Sequence, residues 1–254
     1  MPELPDVEGF RRVFANGAAG RRIERVELLD RSLLRGGRAK AVEGERFEDP
    51  LRHGKWLVAP AGESEVLMHF GMTGSLDWAS RRSERHVHDR IVFVCRGGEL
   101  RYRNMRKFGG VWIVAAGRRE RVTGPLGPDA TEVDRERFYE LLAARRGGLK
   151  AALMDQRLIA GLGNLMVDEI AWRARIDPRT PLARVSKRRR ERLFDAMDEV
   201  VRESTPTGRV PPFEGWLTGA RNAREPTCPR CGARLRKDTV AGRTTAWCPR
   251  CQRR

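Results

Sequence analysis

Two pairs of cysteines near the C-terminus constrain this chain more than any other feature. Cys228-Pro-Arg-Cys231 and Cys248-Pro-Arg-Cys251 stand sixteen residues apart. Each pair offers two thiolates to one ion, and a hairpin between them brings all four sulfurs together, the ligand set of a tetrahedral zinc ribbon. Gly232 after the first pair and Gly242 in the hairpin suit the turns such a ribbon needs. Four protein ligands leave no open coordination position, so the single zinc ion is expected to be structural, folding a segment too small for its own core. Function must then lie in what the ribbon displays, and Arg230, Arg234, Arg236, Lys237, Arg243 and Arg250 make it basic. The fifth cysteine, Cys95, ends the apolar run Ile-Val-Phe-Val-Cys and reads as a buried, inert thiol.

The basic ribbon matches the rest of the chain. Over 254 residues, 51 Lys and Arg against 34 Asp and Glu leave a net charge of +17. A field of that sign favours a polyanion, because neutralising phosphates releases condensed counterions. A merely solvated basic surface explains the number equally well, so charge alone says nothing about chemistry. No run approaches the roughly 20 apolar residues of a membrane span, and the acidic, proline-bearing start lacks the pattern of a secretory signal. No membrane, a cytoplasmic location and cysteines kept for metal rather than disulfides are the corresponding expectations.

Periodicity divides the chain. Val7, Phe10 and Phe14 share one face of a helix over 5–15, with Pro5 in its first turn. Short apolar runs follow at 23–29, 55–59, 65–70, 90–95, 100–103 and 111–115, and Arg96-Gly97-Gly98-Glu99 reads as a hairpin turn. An antiparallel β domain with a leading helix is expected over 1–118. Gly124–Asp129 (GPLGPD) has linker punctuation. Helical periods then run through 138–142, 149–154, 165–174 and 186–204, with Asn164 and Ser186 as N-caps, giving a helical domain over 130–206. The zinc unit occupies 221–254. The fold class is therefore α+β and multidomain.

Pro2 is peculiar. Once Met1 is excised, proline presents a secondary α-amine, its pKa nearer neutrality than a lysine's, which leaves a usable neutral fraction for attack on an aldehyde-like sugar carbon. Glu3 beside it could relay protons. A proline-rich start that only caps a helix explains the same residues.

Four blocks decide the matter by resemblance. Met1–Glu8, His69-Phe-Gly-Met-Thr-Gly-Ser75, Asp155–Asn164 and the Cys₄ ribbon with Arg243 five residues before Cys248 together resemble the formamidopyrimidine-DNA glycosylase/endonuclease VIII family, in order and over nearly the whole length. The resemblance implies an N-terminal β-sandwich, a helix-two-turns-helix domain and a zinc ribbon. It implies a bifunctional glycosylase/AP lyase acting on damaged double-stranded DNA. Pro2 would be the nucleophile, Glu3 the proton relay, and elimination would cut the strand on both sides of the sugar. Lys55, His69, Asn164 and Arg243 match the family's phosphate clamp. Asn164 also follows a Gly-Leu-Gly turn at a helix start, where backbone N–H groups favour anions. Met72, Arg106 and Phe108 match the trio that fills the gap left by an everted base. Lys150 matches a lysine near the damaged base or its phosphate, and His88 a supporting partner.

Three departures qualify the resemblance. Asn104-Met105 replaces the usual Asp-Pro before the wedge arginine, and Lys107 follows it. Ser204–Trp216 is short and proline-rich where the formamidopyrimidine branch carries a long glycine-rich loop. The tyrosine expected shortly before the first zinc cysteine is absent from Thr218–Thr227, so one phosphate contact is missing or is replaced by Arg221 or Arg224. The short segment implies weak action on 8-oxoguanine and better action on formamidopyrimidines, abasic sites or oxidised pyrimidines. Two rivals stay in view: a non-enzymatic zinc-ribbon DNA-binding protein, and a lysine Schiff-base enzyme using Lys55 or Lys150. Nothing in the sequence suggests an oligomer, so a monomer is expected.

Overall fold

The computed structural model describes residues 2–210 and 212–253. The chain forms two compact units, residues 1–125 and 126–254, dividing within the Gly124–Asp129 segment.

The first unit opens with α1 (Leu4–Gly17), followed by β1 (Ile23–Leu28), β2 (Leu34–Gly36), β3 (Leu51–His53), β4 (Trp56–Ala61), β5 (Ser64–His69), β6 (Gly74–Ala79), β7 (Asp89–Cys95), β8 (Gly98–Asn104), β9 (Gly110–Ala115) and the short α2 (Glu120–Thr123). The strands make a four-stranded sheet, β1-β7-β8-β6, and a five-stranded sheet, β2-β9-β5-β4-β3. Alternation explains their shared core. Ile91, Phe93 and Cys95 point inward from one sheet, Leu57, Ala59 and Ala61 with Val66 and Met68 from the other, and all join one buried cluster. Val7 and Phe14 of α1 belong to the same cluster. Cys95 is fully buried, and loss of solvent pushes its thiol up to about 12.

The sandwich departs from the sequence reading at its edges. β2, β3 and β6 carry no apolar run by which they could be read, and β2 pairs with β9 in parallel. Strands of three residues, such as β2 and β3, are too short to show alternation; their place is set by the neighbours they pair with.

The second unit contains α3 (Arg135–Ala143), α4 (Leu149–Met154), α5 (Asn164–Arg173), α6 (Lys187–Ser204), α7 (Leu217–Ala220), β10 (Arg236–Val240) and β11 (Arg243–Trp247). Helix α5 is its centre, buried continuously from Met166 to Trp172. Phe138 of α3 meets Phe194 of α6 edge-on at 5.5 Å. Between α4 and α5 the chain makes two tight turns around Gln156, which donates to the carbonyls of Met154 and Leu162 and accepts from the Gly161 N–H. The zinc ribbon is not a separate body: Trp172, Leu217 and Leu235 pack with Cys228 and Cys248.

The expected caps are partly revised. Ser186 precedes α6 as expected, but Gly163 caps α5 and Asn164 is its first helical residue. That shift frees the Asn164 side chain for a partner outside its own helix.

Candidate nucleophile and DNA-binding surfaces

In the first unit, Pro2 is half-buried at the head of α1. Glu3 is almost fully buried and caps the helix. Its backbone N–H donates to the Asp6 carboxylate at 2.8 Å, and its own carboxylate accepts the Asp6 N–H, a reciprocal capping box. The N-terminal sequence therefore both caps a helix and fixes Pro2 in place. Glu8, one turn on, carries no sequence motif that marks it as a site residue. It pairs with Arg11 at 2.7 Å and with Arg52 of β3 at 3.4 Å, tying α1 to the β3–β4 hairpin. Burial raises its carboxyl pKa, but Arg11, Arg52 and Arg12 outweigh that and hold it below the usual range.

Lys55 occupies the tip of that hairpin, where His53 pairs with Trp56 across Gly54-Lys55 and Gly54 takes a left-handed φ of 55°. In the next register pair Trp56 faces His69, with ring centroids 4.9 Å apart. Burial and then the Lys55 charge lower His69 to about 4, so its imidazole is neutral. Its Nδ1 accepts the Gly71 N–H at 3.3 Å; the proton is therefore on Nε2, which is left to donate. A neutral donor beside an ammonium suits a phosphate oxygen.

Met72 lies in the β5–β6 turn, and Arg106 and Phe108 in the β8–β9 loop. The Arg106 N–H donates to Thr73 Oγ1 at 3.1 Å, joining the two. Phe108 is 61% exposed, and the Arg106 guanidinium lies 4.9 Å from its ring centroid. An exposed phenylalanine that packs on no core yet carries an arginine on its face fits a wedge for a base stack. Asn104, the departure noted in the sequence, anchors this loop. Fully buried, it donates from Nδ2 to Tyr102 Oη at 3.0 Å and to the Phe70 carbonyl at 3.3 Å, and it accepts the Lys107 N–H at 2.9 Å. Lys107 turns there with a φ of 56°. His88 lies at the root of the loop: its carbonyl accepts the Asn104 N–H, and its Nδ1 is 3.1 Å from Arg90 Nη2.

In the second unit Lys150, expected near the damaged base or its phosphate, is fully buried. Its Nζ lies 2.5 Å from Asp168 Oδ1 and 2.7 Å from Thr245 Oγ1. Asp168 also takes Arg221 at 2.6 Å and the Ala246 N–H at 3.0 Å. Burial pushes the Asp168 carboxyl upward, against the pull of both cations. This hub joins α4, α5 and β11 and is structural. Arg221, one of the two replacements considered for the missing tyrosine, is buried in the hub and donates to the Thr244 carbonyl at 2.9 Å; Arg224 is exposed. No spacing rule marks Asp168, because its partners are 18 and 53 residues away.

Asn164 Nδ2 donates to the same Thr244 carbonyl at 3.0 Å, and among the described residues its buried Oδ1 has no partner. Arg243 opens β11, exposed, beyond the left-handed turn Ala241-Gly242 at the ribbon tip. At the other end, the four cysteine sulfurs all lie within 4.8 Å of one another. Cys228–Cys251 is 3.9 Å and Cys231–Cys248 is 3.5 Å. A Zn–S bond of about 2.3 Å makes the edge of a regular tetrahedron about 3.8 Å, so this set fits one zinc ion. Trp172 Nε1 donates to Cys228 Sγ at 3.3 Å, fixing one ligand from outside the ribbon.

Comparison with known proteins agrees along the chain. Residues 1–111 match the formamidopyrimidine-DNA glycosylase N-terminal domain, 126–210 its H2TH domain, and 226–254 the zinc finger found in FPG and IleRS. The formamidopyrimidine-DNA glycosylase of Symbiobacterium thermophilum is 36% identical over 99% of this chain and 89% of its own. That of Geobacillus kaustophilus is 33% identical over the full length of both. Lactococcus lactis Fpg in complex with abasic-site DNA superposes with a TM-score of 0.90 at 28% identity, covering 99% of this chain and 100% of that one. The same protein bound to DNA containing N7-benzyl-Fapy-dG gives 0.89 at 28% identity, covering both chains fully. With the N-terminal domain, the H2TH domain and the four-cysteine finger matched in sequence order, this chain belongs to the formamidopyrimidine-DNA glycosylase family.

Proposed function

We propose that this protein is a base-excision DNA glycosylase and AP lyase whose nucleophile is the amine of Pro2. One observation carries the reading: a proline held by a capping box at the head of α1, beside a buried glutamate, in a chain that aligns from end to end with formamidopyrimidine-DNA glycosylases. Met1, whose removal exposes the amine, lies outside the described residues. The neutral Pro2 nitrogen attacks C1′ of the damaged nucleotide, the base departs, and the resulting iminium acidifies the neighbouring sugar proton so that elimination cuts the strand. Glu3 moves protons at the sugar. Lys55, His69, Asn164 and Arg243 hold phosphates, with His88 supporting. Met72, Arg106 and Phe108 fill the vacated stack. Lys150 serves the reaction only through the frame it braces. The zinc ion supplies no reaction chemistry; it holds the ribbon that displays Arg243.

The substrate is damaged double-stranded DNA. The shortness of Ser204–Trp216, which carries no long glycine-rich loop, supports formamidopyrimidines, abasic sites or oxidised pyrimidines over 8-oxoguanine. Among the described residues no helix is long and apolar enough to cross a membrane, and a cytoplasmic monomer is the simplest form consistent with the reading. We assign three working modules, 1–118, 130–206 and 221–254.

Borohydride trapping on an abasic duplex tests the chemistry. A covalent adduct is expected, absent from Pro2→Gly and from an N-terminally extended chain. An adduct that survives Pro2→Gly but is lost without Lys55 or Lys150 would assign a lysine. No adduct at all would leave a DNA-binding protein without lyase chemistry.

A further inference from the structure

The second unit contains a cavity of about 810 Å³ that none of these roles uses. Arg175, Arg189, Arg192, Arg230, Arg250 and Arg253 line it, with no carboxylate among its walls. Among the described residues none of the six guanidiniums forms an ion pair. Asp177, the acid whose field reaches Arg189, is engaged by Arg179 at 2.6 Å.

The zinc centre explains part of this charge. Cys231 and Cys251 also line the cavity, and four thiolates around Zn²⁺ carry a net charge of −2. Set against that negative centre, the six arginines leave a surplus of four positive charges. Burial and the adjacent Arg192 lower the pKa of Arg189 from the ordinary arginine value, the direction expected where cations lack counter-charge.

The site is also partly organised. Arg189 donates from Nη2 to the Arg253 carbonyl at 2.7 Å and from Nη1 to the Arg184 carbonyl at 3.3 Å. Arg230 lies 4.2 Å above the Trp172 ring and donates to the Trp172 carbonyl at 3.2 Å. Arg175 holds a φ of 57°, a conformation that costs an arginine and would cost a glycine nothing. Two guanidiniums held in place retain donors for phosphate oxygens, whose geometry the arginine fork matches. The walls are arginines and two cysteines, with no apolar side chain for a peptide to dock on. The chemistry selected is a run of phosphates.

This cavity lies at the knuckle end of the ribbon. Arg243 is at the tip, and the four steps of β11 between Arg243 and Trp247 span about 14 Å. We propose that the arginine cavity binds the phosphodiester backbone of a second DNA duplex while the first remains on the lesion-binding surfaces. The protein then holds two DNA segments at once, which allows direct transfer between them during search.

The test uses full-length, zinc-loaded protein saturated with an unlabelled duplex carrying a tetrahydrofuran abasic analogue, to which a short fluorescein-labelled undamaged duplex is added. A rise in anisotropy is expected, with micromolar-range affinity and a log–log salt slope of roughly −3 to −4 for four neutralised phosphates. Inorganic tripolyphosphate should displace the labelled duplex. Arg192→Glu/Arg253→Glu, both at exposed positions, should weaken the second binding at least tenfold, with zinc content, melting temperature and affinity for the abasic duplex unchanged. No second binding at about 50 mM salt, or equal binding by the variant, would overturn the proposal. So would an oligoglutamate peptide that outcompetes the duplex, which would assign the cavity to acidic protein segments. Failure of the abasic duplex to bind would count against the glycosylase reading instead; the labelled duplex titrated alone, wild type against variant, would still decide the cavity.

Discussion

The two units hold their functional surfaces by different means. In the first, an apolar sandwich core carries a wedge loop fixed from inside by the neutral side chain of Asn104, bonded to Tyr102, Phe70 and Lys107, and by the Arg106 N–H to Thr73. The loop's ion pair, Lys107–Asp30 at 2.7 Å, lies nearer the surface. In the second, α5 and the ribbon are joined by a buried charged hub, Lys150–Asp168–Arg221, together with the thiolate cluster. Exposed residues such as Phe108 and Arg243 can therefore act on a ligand, whereas charges of the same type inside the hub cannot. A lysine's chemistry is decided by its surroundings: Lys55 at a hairpin tip lies beside a neutral imidazole, and Lys150 is spent on a carboxylate.

The contrast breaks most visibly at Asp168. Asp168→Ala strands two buried cations, and a loss of about 3–5 kcal/mol is expected, seen as a large fall in the thermal midpoint of the second unit and weaker retention of zinc. An unchanged midpoint would mean the hub contributes nothing. A smaller effect follows from His69 in the first unit. Its folded pKa is lowered to about 4 from 6.5, so the unfolded chain takes up a proton first as the solution is acidified. Its contribution is present above pH 6.5 and is lost as pH falls from 6.5 to 4, by at most about 3 kcal/mol. Glu8, whose folded carboxyl is held low, adds a further loss below its unfolded pKa of 4.5. Melts of wild type and His69→Gln at pH 7 and pH 5 should show the wild type losing more. Equal losses would remove His69 from the account. The smallest effect on stability is expected at the wedge: Phe108→Ala should change the unfolding free energy by no more than about 0.5 kcal/mol. The same variant should bind an abasic duplex at least about tenfold more weakly, roughly 1.4 kcal/mol, and unchanged binding would take Phe108 out of the interface.

Much of the first unit was legible because its signal is local. Ile91, Phe93 and Cys95 alternate as a strand must, and Val7, Phe10 and Phe14 repeat as a helix face must. The short strands β2 and β3 were not, since three residues carry no period. The candidate site was readable where residues sit in contiguous motifs, as with Pro2-Glu3 and the run from His69 to Met72. The burial of Lys150 was not legible, because its identity gives no hint of a carboxylate 18 residues ahead on another helix, and Asp168 and Glu8 carry no local signal for the same reason.

By itself the sequence determined the zinc ligands, the order of sandwich, helices and ribbon, and the identity of the amine at the second position. These depend on spacing and periodicity, which are properties of neighbours along the chain. Tertiary structure alone decided which cations face solvent and which face a buried acid, why Asn104 can stand at the root of the wedge, and that six arginines from α5's end, α6 and the zinc knuckles converge on one cavity. Those outcomes depend on desolvation and on distances between residues far apart in sequence, and no local pattern encodes either.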